Sequence, residues 1–418
     1  MSDVFTGRVC VLGLGYIGLP TAAVLATRGI HVVGVDVNPQ IVAAVNRGEV
    51  PFVEPDLAVT VAGAVNMGRL SATSEVPESD AYIIAVPTPF AQGHRADLSY
   101  VRAATENIAP QLRGGETIIL ESTSPPGTTV QIAEWIAELR PDLTVAREAS
   151  EHPDIHLAHC PERVLPGRIM VEMLTNDRIV GGITQECAER AAAIYRVFCQ
   201  GDIALTTAST AEMAKLVENS YRDVNIAFAN ELGLICDRLH LDGWEVIALA
   251  NRHPRVNILS PGPGVGGHCI AVDPWFIVGA APDEARLIGM ARRINDERPR
   301  YVAEQILGRA RRFRDPTVAL LGLAYKANVD DLRESPALDI AAEVAGALTE
   351  GTVLVSEPHV RELPAVLSER PNVSLVPTAE AISRADIVAL LVDHTSFRSI
   401  GRTALHGRIV FDTRGLWR

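Results

Sequence analysis

The sequence predicts an α/β chain built on two parallel, doubly wound sheets with a long helix between them. Three observations predict it. Short apolar runs alternate with helical patterns through the first half of the chain, as parallel strands joined by crossover helices require. A proline-free stretch of helical periodicity then runs over 210–241, and alternation returns in the last part of the chain. At 418 residues, with 47% hydrophobic and 21% charged positions, the chain needs more than one core.

In the first part, strands are expected at 8–12, 31–36, 81–86, 116–120 and 155–159, with helices such as 39–47 and 100–109 between them. Over 210–241, Met213, Leu216, Val217, Tyr221, Val224, Phe228, Leu232, Ile235 and Leu239 recur at helical spacing. Such a helix is roughly 48 Å long, enough to link two domains and to pack on a partner. A second helical region is expected over 283–313. Between the two lies Pro261-Gly-Pro-Gly-Val-Gly-Gly-His-Cys269, too rich in glycine and proline for regular structure. Strands return at 317–321, 352–355, 387–391 and 408–411, which divides the chain into 1–205, 206–312 and 313–418.

The formal charge of −13, from 38 basic and 51 acidic residues, excludes the basic stripe of a nucleic-acid binder. The six cysteines are scattered without a C-x-x-C pair, which reads as reduced cytosolic thiols. No charged-then-apolar leader precedes the first strand, and the most apolar stretch, 9–26, is broken by Gly13, Gly15, Gly18 and Pro20, so no membrane span is expected. His152, His156, His159 and Cys160 fit neither usual zinc spacing, and no metal is expected there.

Gly13-Leu14-Gly15-Tyr16-Ile17-Gly18 follows a strand and opens a helix, the context of a dinucleotide fingerprint. Gly13 permits the tight turn, Gly15 admits a pyrophosphate, and Gly18 allows helix and strand to pack. Asp36 ends the next strand, where a carboxylate bonds ribose hydroxyls and repels a 2′-phosphate. Lys215 and Asn219 are four apart, one face of the long helix, suited to steadying an alkoxide or simply to solvation. Cys269 ends the glycine loop and precedes Asp273; it reads as a reactive thiol or as a small buried hydrophobe. The stretch 121–127 leaves a strand with hydroxyls able to face a cofactor, or with Ser124 merely capping a helix. Glu162, after Cys160-Pro161, reads as a base or a surface charge. In the last part, Gly322-Leu-Ala-Tyr-Lys326 replaces the fingerprint, and Ser335-Pro336 starts a helix beside Lys326 and Arg333, suited to a diphosphate or to an ordinary cap.

Taken together, residues 13–18, 121–127, 160–167, 210–219, 266–269 with Asp273, and 322–335 resemble the UDP-glucose/GDP-mannose dehydrogenase family over nearly the whole chain. His253-Pro-Arg255-Val-Asn257-Ile258, the loop running on to Trp275, and Gly415-Leu-Trp417 are similar to the branch that oxidises UDP-N-acetyl-D-mannosamine. Arg163-Val164-Leu-Pro stands where the glucose-oxidising branch has Phe-Leu. The resemblance implies two Rossmann-like domains joined by a long central helix and a helical dimerisation region, with NAD as cofactor. It implies a four-electron oxidation of C6 through a thiohemiacetal and thioester on Cys269, with Glu162 as base and Thr123 placing the water. Lys215, Asn219 and Asp273 would steady oxyanions, and Thr88 and Thr123 would join 13–18 and Asp36 at the cofactor. Glu162, Arg163, Val164, Lys215, Asn219, Asn257, Gly266, Lys326 and Arg333 would line the substrate, with Arg255 reaching the site of the partner in a homodimer. UDP-N-acetylglucosamine and UDP-glucose stay open as substrates. A two-electron β-hydroxyacid-type dehydrogenase is the rival from another class, but it needs neither Cys269 nor a second α/β domain.

Overall fold

A computed structural model describes residues 5–52, 54–90, 96–147, 152–165, 167–267 and 269–417. It divides into two units, Met1–Val217 and Glu218–Arg418, and the α/β class expected from the alternation holds in both.

The first unit carries β1 (Arg8–Leu12), β2 (His31–Val35), β3 (Leu70–Thr73), β4 (Ala81–Ile84), β5 (Thr117–Leu120), β6 (His156–His159), β7 (Arg178–Gly182) and β8 (Ile203–Thr207). They form one sheet in the order β3-β2-β1-β4-β5-β6-β7-β8. Strands such as Val9 to Leu12 and Ala81 to Ile84 are buried residue after residue, as in a sheet covered on both faces. The order reverses between β1 and β4, so their carboxyl ends open a crevice in which doubly wound folds bind ligands. One pairing breaks the parallel rule: β7 runs antiparallel to β6, with Ala158 opposite Gly182. The alternation did not predict β3, β7 or β8: β3 is part exposed and β8 largely so, and β7 opens on a charge and ends in two glycines.

The second unit carries β9 (Thr317–Leu321), β10 (Thr352–Ser356), β11 (Val373–Leu375), β12 (Ile387–Leu390) and β13 (Ile409–Asp412) in an all-parallel sheet of order β11-β10-β9-β12-β13. The expected long helix is Ala208–Leu239, the helical region expected over 283–313 is Arg286–Ala310, and a further helix that was not expected, Asp273–Ala280, precedes it. Pro274 explains the separate start, since it suits the first turn of a helix and not its interior.

Within the second unit the long helix and Arg286–Ala310 are joined by a buried polar network. Arg292 and Asp223 are both fully buried, with Nη1 donating to Oδ1 at 2.6 Å, and Arg292 also pairs with Asp296. Asn295 donates to Asp223 Oδ1 at 2.8 Å and accepts from Asn230 at 2.9 Å. Burial pushes Asp223 up to about 6, against the pull of the guanidinium. Removing one partner strands the other in a dry interior, so Arg292→Met should destabilise the chain by about 3–5 kcal/mol. Urea unfolding of the intact chain checks this, and Asp223→Leu/Arg292→Met should recover part of the loss.

Candidate active site

At the β1–β4 crevice each glycine of the first turn has its own reason. Gly13 sits at φ +92°, and a Cβ there would lie 2.5 Å from the Ala85 carbonyl oxygen. A Cβ on Gly18 would lie 1.9 Å from the Gly13 oxygen, so helix Gly18–Thr27 reaches the strand only through glycine. Around Gly15 there is open space, as a close-approaching ligand needs. Asp36 stands at the end of β2, its Oδ2 accepting from Leu14 N and its Oδ1 from Asn38 N, both at 2.9 Å. Tyr16 is exposed and packs on Phe52, while Ile17 precedes the helix.

The ends of β4 and β5 meet beside this turn. Thr88 donates to the Thr123 carbonyl at 2.6 Å, and Ser122 donates to the Val86 carbonyl at 2.7 Å. The helix that follows, Thr128–Leu139, is not capped by Ser124. Glu212 caps it from the long helix, accepting from Gly127 N at 2.6 Å, Thr129 N at 2.8 Å and Thr129 Oγ1 at 2.6 Å. Lys215 lies half-buried one turn further along the same helix.

Glu162 is neither a surface charge nor isolated. It is buried, its Oε1 accepts from Arg163 N at 2.7 Å, and its Oε2 is paired with Arg178 at 3.0 Å. Cys160 is fully buried and 3.8 Å from Arg178, and burial pushes its thiol up to about 12, which suits an inert thiol. A second carboxylate, Glu121, accepts from Tyr195 at 2.7 Å and from Thr21 at 3.1 Å. Burial first, then the Glu162 charge, pushes it up to about 7. Arg163 reaches the Asp177 carbonyl, and Val164 packs on the core. His156 and His159 lie on β6, both buried, and desolvation drives His159 down to about 3.

In the second unit Asn219 donates to Asp273 Oδ2 at 2.5 Å, and Asp273 is buried. Cys269 is exposed, and its carbonyl accepts from Asp273 N at 2.9 Å, so the thiol sits one turn ahead of the helix. The glycines before it have a structural cause beyond ligand access. A Cβ on Gly266 would meet the Glu334 carbonyl oxygen at 2.4 Å, and one on Gly267, at φ +83°, the Tyr325 ring at 2.9 Å. The loop is thereby packed against 325–336. Asn230 holds it at Gly262 N, 2.9 Å, and Arg298 at Gly262 O, 3.0 Å. Ser335 caps the helix Pro336–Ala347 as expected. Lys326, Arg255 and Asn257 are exposed. Arg333, expected at a diphosphate, is paired with Asp331 through two bonds of 2.9 and 2.7 Å.

The turn after β9 repeats the geometry of the first. Gly322 N donates to Ser356 O, and Leu323 N to Glu357 Oε2, as Gly13 does to Val35 and Leu14 to Asp36. Here, however, the carboxylate also holds buried His394 at 3.0 Å, which leaves less of it for a ribose. No separate role for Arg178, Glu121, Glu212 or Asn230 was legible in the sequence, because nothing local signals that a polar side chain will be buried and bonded to a distant partner.

Three family models cover the chain: UDP-glucose/GDP-mannose dehydrogenase family, NAD binding domain (7–199), central domain (209–297) and UDP binding domain (319–418). The chain is 54% identical to an NDP-N-acetyl-D-galactosaminuronic acid dehydrogenase of Ralstonia nicotianae, over 99% of this chain and 97% of that one. It is 52% identical to a UDP-N-acetyl-D-mannosamine dehydrogenase of Salmonella typhi, over 98% and 99%. The solved UDP-D-ManNAc dehydrogenase from Pyrococcus horikoshii superposes with a TM-score of 0.86 at 36% identity, covering 98% of this chain and 96% of that one.

Glu121 yields a pH test. Between about 4.5 and about 7 the folded chain keeps a proton on Glu121 that the unfolded chain releases, so this group's stabilising contribution falls as pH rises through that window. Glu121→Gln is neutral throughout. Its Tm relative to the native chain should therefore climb between about pH 5 and about pH 8, followed by scanning calorimetry.

Proposed function

The chain belongs to the UDP-glucose/GDP-mannose dehydrogenase family, and we propose that it oxidises C6 of UDP-N-acetyl-D-mannosamine to the carboxylate through Cys269. As a family member it is an NAD-dependent nucleotide-sugar dehydrogenase. The observation that carries the covalent reading is Cys269 itself, an exposed thiol at the end of a packed glycine loop and one turn ahead of the buried Asp273. The first turn fits a dinucleotide: open space at Gly15, a helix N-terminus behind it, and the Asp36 carboxylate at the end of β2.

The Gly13–Gly18 turn and Asp36 would hold NAD, which would supply a hydride acceptor for each of two oxidations at C6. The Cys269 thiolate adds to the aldehyde carbon left by the first, making a C–S bond and an alkoxide that Lys215 and Asn219 stabilise, with Asp273 orienting Asn219. After the second oxidation the acyl group is a thioester. Water attacks it, its proton passes to Glu162, the C–S bond breaks, and the electron pair returns to sulfur. Thr123 places that water. In balance, one alcohol, one water and two NAD become one carboxylate, two NADH and three protons.

The substrate reading rests on the mannosamine-oxidising relatives and on Arg163–Val164 and Arg255–Asn257. The Ralstonia relative favours a second reading, a galacto-configured N-acetylhexosamine. Both share the C2 acetamido group. We assign cofactor binding to 1–205, the dimer and the thiol loop to 206–312, and the substrate nucleotide to 313–418, where Lys326 and Arg333 meet the diphosphate, Arg333 exchanging Asp331 for it. Tyr221, Phe228 and Ile235, seven residues apart and 71%, 50% and 46% exposed, give the long helix an apolar face for a homodimer, to which Arg255 contributes across the interface. Among the described residues no helix is long and apolar enough to cross a membrane, and no disulfide joins the cysteines; we place the protein in the cytosol.

A panel of UDP- and GDP-sugars, with NADH followed by its absorbance, should give two NADH per sugar and the highest kcat/KM with UDP-N-acetyl-D-mannosamine. One NADH per sugar would return the reading to a β-hydroxyacid-type enzyme, and faster turnover of the galacto sugar would select the second reading.

Cys269→Ser should keep KM for the nucleotide sugar while kcat falls by about two orders of magnitude or more, because an alcohol is a far weaker nucleophile and leaving group than a thiol. Near-native turnover of that variant would remove Cys269 from the mechanism.

A further inference from the structure

We propose that Arg178 is a positioning residue for the hydrolytic step, holding Glu162 in the orientation from which it takes the proton of the attacking water. The inference rests on Glu162 being that base. Its geometry comes from the antiparallel pairing of β6 and β7. Because β7 runs against β6, its first residue, Arg178, stands at the edge where β6 exits toward Glu162. A parallel β7 would begin at the opposite edge.

The guanidinium is 4% exposed and the Glu162 carboxylate 5%, with 3.0 Å between them. Tyr195 and Phe198 hold the guanidinium by their ring faces, with centroids at 4.9 and 5.0 Å. Tyr195 in turn donates to Glu121, so a second carboxylate is tied into the same buried group without bonding Glu162 directly. With Arg163 N on Oε1 and Arg178 on Oε2, each Glu162 oxygen accepts one fixed donor and keeps a second lone pair for water. Burying a charge pair is a weak route to stability compared with apolar packing. A pair kept at this strand end is better explained by the orientation it imposes.

Water attacks the thioester carbon, its proton goes to Glu162, and the C–S bond to Cys269 breaks with the electron pair returning to sulfur. A displaced Glu162 slows this step and leaves both oxidations intact. The test uses the full chain with UDP-N-acetyl-D-mannosamine, or the best sugar of the panel, and NAD. Arg178→Lys keeps the charge but loses the planar fork and the ring stacking. It should give a first-turnover burst of two NADH per site, a steady-state kcat at least about tenfold lower, KM within about threefold, and an acyl adduct on Cys269 visible by quenched intact mass. Phe198→Leu, which loosens the guanidinium without touching its charge, should show the same pattern at several-fold and serves if Arg178→Lys does not fold. Glu162→Gln separates the two readings, because it should accumulate the adduct whether or not Arg178 matters. If Glu162→Gln accumulates the adduct while Arg178→Lys and Phe198→Leu hydrolyse within about twofold of native, the positioning role is overturned and the base remains. If burst and steady state fall together in the Arg178 and Phe198 variants, Arg178 is merely structural. If Glu162→Gln hydrolyses normally, the base assignment fails, and this proposal with it.

Discussion

Arg292 and Asp223 are both withdrawn from water, and the protein groups that answer most of their polar atoms shape the second unit, Asp223 Oδ2 and Arg292 Nε having no hydrogen-bond partner among the described residues. Asn295 bonds Asp223 and passes the network to Asn230, and Asn230 fixes Gly262 at the start of the glycine loop. Arg292 itself reaches the Ile270 carbonyl at 3.5 Å, just past Cys269. The loop is thus held at both ends by groups that are themselves held by a buried charge. Between those ends, Gly266 and Gly267 press against Glu334 and Tyr325 at distances no side chain would permit. The nucleophilic role proposed for Cys269 calls for such support, because a displacement of about an ångström is enough to spoil attack.

The first unit meets the same problem with different chemistry. Two carboxylates, Glu121 and Glu162, are buried near one guanidinium, so the group as a whole carries more acid than base. Arg178 is committed to Glu162, and Glu121 turns to two hydroxyls, Tyr195 and Thr21, with a raised proton affinity. Thr21 belongs to the helix that opens at Gly18, so the helix after the first glycine turn and the carboxylate cluster share a hydrogen bond. Glu212 likewise spends both oxygens on the loop after Thr123. The two units also show one turn geometry with differently engaged carboxylates. Gly13 and Gly322 adopt the same left-handed backbone, but Asp36 is half-exposed at the end of β2 while Glu357 is engaged by a buried histidine.

Much of this was legible in the residues. Alternation and the Val- and Ile-rich runs determined the α/β class, and the glycine spacing with Asp36 pointed to the turn after β1 as the place to expect a dinucleotide. The absence of proline over 210–241 determined the long helix, and Ser335-Pro336 determined where a later helix starts. These are local properties, set by backbone sterics and by periodicity, and they need no knowledge of distant neighbours. Tertiary structure alone decided the rest. The reversal of β7, which brings Arg178 to Glu162 across 16 residues, depends on strand pairing that no local pattern encodes. The capping of Thr128–Leu139 by Glu212 links positions more than eighty apart, and Ser124, the near candidate, is passed over. The glycines of 262–267 signalled an irregular loop, but that they are wedged against 325–336 follows only from the packing of the chain. Burial and long-range partners are properties of the folded whole, because a charged residue in the sequence looks the same whether water or another charge will answer it.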